Sequence, residues 1–179
     1  MNEEVLSFWF EESSPKDWFS KNDDFDKKIK QRFEKVYNLA INGRLDNWKE
    51  EAKSCLALII VLDQFSRNLF RNDKRAYAQD KKSIELTKYA LEKGFDKELE
   101  GSEKTFLIMP LMHSEELEDQ ELCVDLFSSL GEEYSVNLKF AEEHRDIIKQ
   151  FGRFPHRNKD LGRENTTQEE EFLKTHKGF

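Results

Sequence analysis

Three stretches of this chain hold side chains that can do chemistry. In the first, L-D-Q-F-S-R-N-L-F-R (62–71), Asp63, Arg67 and Arg71 recur every four residues, so a helix would stack them along one side, with Asn68 adjacent. Leu58, Leu62, Phe65 and Leu69 keep helical spacing in the same stretch, which sets the polar stripe inside or against the core. A carboxylate and two guanidiniums there need partners, because an unpaired buried charge is very costly. Two arrangements meet that need: an ion-pair lattice tying the helix to its neighbours, or an anion site built on Arg67, Asn68 and Arg71.

The second stretch is M-P-L-M-H-S-E-E (109–116). His113 and Glu115 follow Pro110, which is expected to kink or end a helix and so present them at its end. Histidine is the side chain that changes charge nearest neutral pH, and a carboxylate beside it orients it as a base. His113 is therefore a candidate acid–base group, with Asp63 or Glu115 as the orienting acid. Ser114 next to His113 is not a triad, since neighbours in sequence seldom aim at one another and no G-x-S-x-G surrounds them. The structural alternative is a capping Ser114 beside a hydrogen-bonded His113.

The third is F-G-R-F-P-H-R-N-K-D-L-G-R (151–163), where Arg153, Arg157, Lys159 and Arg163 face one acid, Asp160, for a local charge of +3 in a chain of −8. Phe151 and Phe154 are expected to pin the segment to the core. Arginine suits a bidentate grip on carboxylate or phosphate. Arg153, Arg157, Asn158 and Arg163 are thus candidate ligand contacts, and His156 a second acid–base candidate. The alternative is a loop salt-bridged to acidic helices such as the one holding residues 115–121. The phosphate-loop pattern G-x-x-x-x-G-K-[ST] is absent, His113, Glu115, His144 and His156 lack metal-ligand spacing, and neither metal nor cofactor is expected.

These segments need a frame, and the composition says which kind. Gly and Pro together number ten of 179 residues, too few for the turns of a sandwich or barrel. Phe supplies 15 residues, so the core is aromatic-rich. Apolar residues at 25, 29, 33, 36, 37 and 40 mark an amphipathic helix capped by Asn22 or Asp23 and stopped by Gly43. The run Cys55–Leu62 is apolar all round, which only a buried helix tolerates. Further helices are expected over residues 76–93, from Ser102, over 117–130 and over 136–148, with a last one capped by Thr166 or Thr167. The fold class read from this pattern is all-α, a single domain over 1–179 of seven to nine helices stacked as antiparallel pairs.

The net charge of −8 argues against nucleic acid as a partner. The longest apolar run is eight residues, short of the ~20 that span a bilayer, so no membrane partner is expected. The opening MNEEVLSFWF has no basic stretch before its apolar residues, and a secretory signal is not expected. Cys55 and Cys123 read as buried thiols of a reducing cytoplasm.

The motifs at 62–71, at 113–115 with Gln120, and at 151–163 resemble a bacterial family known as domain of unknown function 924. V-L-S-F-W-F (5–10), Trp18-Phe19, and Thr166-Thr167 with Glu169 and Glu170 extend the resemblance along nearly the whole chain. It implies an all-helical fold similar to tetratricopeptide superhelices, and it implies no activity. Two functions suit these residues. One is a site for a small phosphate- or carboxylate-bearing molecule, with hydrolysis or proton transfer as its chemistry. The other is a non-catalytic module holding a protein or peptide in a helical groove. Nothing in the sequence fixes an oligomeric state.

Overall fold

The computed structural model describes every residue except Lys177 and Phe179. Among the described residues there are ten α-helices and no strand. They are α1 (Asn2–Phe10), α2 (Pro15–Phe19), α3 (Asp23–Ile41), α4 (Ala52–Ile60, continued through a π turn at Val61–Phe65 into Ser66–Leu69), α5 (Asp80–Glu92), α6 (Gly101–Met112), α7 (Leu117–Ser129), α8 (Ser135–Phe151), α9 (Asn158–Leu161) and α10 (Thr167–Leu173). Short α2 and α9 bring the number above the expected nine. Packing gathers the chain into two compact units, Met1–Arg71 with Arg75–Pro110, and Asn72–Lys74 with the residues from Leu111 onward.

In the first unit α4 is the central element. Every residue from Cys55 to Phe65 is buried, as the all-apolar run Cys55–Leu62 requires, and α1, α3 and α5 pack on the helix. Helix α3 starts where Asn22 accepts hydrogen bonds from the Asp24 and Phe25 N–H groups. It ends before Gly43, whose φ of 73° suits the left-handed turn that closes a helix. Phe8 of α1 lies 5.0 Å from Phe33 and 5.5 Å from Phe25, so the excess phenylalanine is spent on this core.

Two expected boundaries move. Residues 76–93 do not form one helix: a 3₁₀ turn at Lys74–Tyr77 precedes α5. Ser102 does not cap α6, because the chain turns into that helix at Gly101, with φ 52°, and Ser102 falls inside the first turn. Pro110 also does not stop α6, which runs on to Met112.

In the second unit α7 and α8 are antiparallel. Phe127 near the end of α7 meets Tyr134 before α8, while Glu121 pairs with Lys149 near the far end of α8 at 3.5 Å. Phe154, fully buried, packs with Ile147 and Ile148 and pins the segment after α8, as expected. Thr166 caps α10 by accepting from the Glu169 N–H at 3.2 Å, and the Glu169 carboxylate accepts from the Thr166 N–H at 2.7 Å.

Candidate functional site

In the first unit the polar stripe of α4 is buried and paired. Asp63 and Gln64 sit in the π turn, 1% and 8% exposed. Gln64 donates to the Asp63 carboxylate at 2.6 Å, and Arg67 reaches the Asp63 carboxylate at 3.2 Å and its carbonyl at 2.8 Å. Both terminal nitrogens of Arg67 also grip Asp80, at the start of α5, at 3.0 and 3.1 Å. Burial works against the guanidinium charge, yet Asp80 and Asp63 hold its pKa above the ordinary arginine value. Arg71 does not extend this stripe. Helix α4 ends at Leu69, and Arg71 turns to Asp26 of α3, which accepts from it at 2.9 Å and from Asn68 at 2.8 Å. The first stretch thus carries the geometry of an ion-pair lattice that ties α4 to α3 and α5.

In the second unit two arginines of the 151–163 segment are likewise gripped. Arg163 makes a fork-to-fork pair with Glu115 at 2.7 and 2.8 Å, and Glu115 accepts the Phe154 N–H at 2.8 Å. Burial would raise the Glu115 pKa, but the Arg163 and Phe154 hydrogen bonds outweigh it and hold it below the usual carboxylate range. Arg163 also donates to the Asn158 side chain at 2.8 Å. Arg153 forks onto Glu169 at 2.7 and 2.8 Å; this pairing first, and the Thr166 N–H after it, bring Glu169 down to about 2. Asn158 sits between the two pairs, donating to Asn165 at 2.8 Å.

Two further candidates, Arg157 and His156, gather around Phe154 together with His144. The Arg157 guanidinium lies 4.5 Å from the centre of the Phe154 ring, and the His156 and His144 rings lie 5.6 Å away on centroids. His144 is 5% exposed and donates from Nδ1 to the Phe140 carbonyl at 2.7 Å. Its pKa falls to about 3, first through burial and then through the positive fields of His113, Arg157 and His156. His144 is therefore a neutral imidazole packed edge-on against Phe154.

His113 stands on a clamped turn. Gln120, fully buried, donates to the carbonyls of both Met112 (2.8 Å) and Ser114 (2.7 Å), one on each side of His113. Ser114 donates to Asp119 at 2.7 Å and accepts the Glu116 N–H at 3.1 Å. Ser114 thus has a structural role in bracing the turn, although the N-cap of α7 is Glu116 and not Ser114, and Glu115 belongs to Arg163.

The structure places His113, Glu115, His156, Arg153, Arg157, Asn158 and Arg163 in one unit and Asp63, Arg67, Asn68 and Arg71 in the other, where the sequence offered them as one pool of candidates. Sequence reasoning did not single out Asp26, Asp80 or Asp119, and it weighed His144 only as a metal ligand. The three aspartates lie in the first turns of α3, α5 and α7, where acids are expected for the helix dipole alone. Only the surplus of cations in the neighbouring motifs could have signalled their second use. Two open surface depressions of the first unit, one at Lys16, Ser20 and Lys21 and one at Lys35, Asn38 and Leu39, contain none of the candidate residues. Among the described residues no three His, Cys, Asp or Glu side chains are grouped as metal ligands, and no helix is long and apolar enough to cross a membrane.

An all-helical protein with arginine–carboxylate clamps and a histidine cluster is the class that fold and site define. The chain belongs to the family described as bacterial protein of unknown function (DUF924), whose model matches residues 5–177. It is similar to the solved structure of a protein of unknown function from Agrobacterium tumefaciens, with 38% identity over 98% of this chain and 97% of that one and a TM-score of 0.91. No curated protein matches it.

Proposed function

We propose that the protein binds a small phosphate- or carboxylate-bearing molecule at His113, His156 and Arg157. His113 would exchange a proton with it, the role of a general acid–base in a hydrolase or proton-transfer enzyme. One observation carries this reading: the Arg157 guanidinium and the His156 and His144 rings converge on the ring of Phe154, in a chain of −8. An anion stabilises such a gathering, and Arg157 stacked on Phe154 is fixed in place to meet one. Arg153, Asn158 and Arg163 then serve as its frame, with Glu169 and Glu115 as the counter-charges of the two arginines, while Arg67, Asn68 and Arg71 belong to the lattice of the first unit with Asp63, Asp80 and Asp26. The interaction-module reading has the α7–α8 pair in its favour, which suits tetratricopeptide-like stacking, but it gives the histidines no task. Free, buried Cys55 and Cys123 support a cytoplasmic setting.

The test is titration with inorganic phosphate, sulfate and citrate, followed by histidine side-chain NMR and melting temperature. An anion should move the His113 and His156 resonances and raise the melting temperature, and Arg157→Lys should weaken the response by on the order of tenfold, the loss of a bidentate contact. If no anion moves either signal in the unmodified protein, the reading fails.

A further inference from the structure

Along one side of α8, Val136, Phe140, Ile147 and Phe151 recur at steps of four, seven and four, which returns to nearly the same angle of the helix each time. The two halves of this apolar line meet different fates. Ile147 is buried beside Ile148 and Phe154, and Phe172 of α10 packs against Phe151 with 4.9 Å between ring centres. Val136 and Phe140 instead stay 64% and 47% exposed. A short helix of the same chain thus covers half of the line with an aromatic side chain, and the other half offers the same chemistry to solvent.

The charges beside the open half are one-sided. Between residues 132 and 143 the exposed charged side chains are Glu132, Glu133, Glu142 and Glu143 against Lys139 alone. We infer that Val136 and Phe140 form a docking surface for a basic amphipathic helix of a partner protein. Its apolar side chains, spaced three or four residues apart, would continue on α8 the packing that Phe172 begins, and its lysines or arginines would meet Glu132, Glu133 and Glu143, Glu142 lying on the far side of the helix. A second copy of this chain is a poorer occupant. It would set the same glutamates against one another in a molecule already at −8.

The probe is a dye-labelled synthetic amphipathic helix of Leu and Lys, with a Leu and Glu helix of the same pattern as its control, followed by fluorescence anisotropy against the full chain. Saturable binding of the Lys helix should weaken by on the order of tenfold in Val136→Ser/Phe140→Ser, the cost of losing apolar anchors. The Glu helix should not bind. Both substituted side chains are exposed, so the melting temperature of the variant checks that the fold is kept. Equal binding to the variant would mean charge alone is read and would overturn the inference, as would equal binding of the Glu helix. A dimer of the unmodified chain in light scattering that Phe140→Ser dissociates would assign the surface to a second copy instead.

Discussion

Gln120 holds His113 by its neighbours: one amide nitrogen donates to the carbonyls before and after the histidine, at 2.8 and 2.7 Å. The backbone of the turn therefore cannot rotate without breaking a buried hydrogen bond, and His113 is presented in a fixed direction. Gln120→Met keeps the length of the side chain and removes the donor, leaving two carbonyls in a buried site to find other partners. We predict a loss of about 1–3 kcal/mol in urea denaturation, the cost of orphaned buried acceptors. The His113 signal should shift or broaden in the histidine spectrum of the variant. An unmoved signal would show that the clamp does not position the ring.

Arg67 separates the lattice reading of α4 from the ligand reading. Arg67→Met removes the cation shared by Asp63 and Asp80, and Asp63 is only 1% exposed. Breaking a buried ion pair from one side costs about 3–5 kcal/mol, so the variant should be strongly destabilised. Asp63→Asn should cost less, because Asp80 still grips Arg67 through both terminal nitrogens. If Arg67→Met were as stable as the parent and had lost the phosphate response, Arg67 would be a ligand contact after all.

The order of those costs also shows what the sequence carries and what it lacks. Asn22, Gly43 and Thr166 are legible because capping is local: the side chain and the N–H groups it serves lie within three residues. The buried character of α4 is legible too, from eight apolar residues in a row. The π turn at Val61–Phe65 is not, since a wide turn is selected by the neighbours packed around it and leaves no mark on spacing. For the same reason the four-residue step from Arg67 to Arg71 misleads. Arg71 lies beyond the helix and finds Asp26, 45 residues away. The site follows the same division: residue types in the motif at 151–163 pointed to a basic cluster, but which arginine pairs with which acid is decided by long-range packing.

Thr166 and Glu169 cap α10 reciprocally, and Glu169 is also the anchor of Arg153. Thr166→Ala removes one half of the cap and should cost about 1 kcal/mol. Glu169→Gln should lower the melting temperature further, since it weakens both the cap and the arginine fork. A smaller effect of Glu169→Gln than of Thr166→Ala would mean that the fork contributes nothing.

His144 gives the molecule an acid-sensitive core. Its pKa in the folded protein is about 3, against roughly 6.5 in an unfolded chain. Between these values the unfolded state binds a proton that the folded state refuses, so stability is full above about pH 6.5 and falls as pH drops towards 3. The slope from one such group approaches about 1.4 kcal/mol per pH unit. Glu169, held at about 2, adds a loss of its own only below the ordinary carboxylate range, so the two can be told apart. Urea denaturation from pH 7 down to 5 should show a decline in the parent that His144→Phe largely removes, because a phenyl ring fills the same space and cannot titrate. Persistence of the full slope in that variant would move the sensitivity to His113 or His156. An anion seated among the basic groups would lessen the decline, since its charge favours the protonated imidazoles around it, and repeating the series in phosphate joins this measurement to the proposed function.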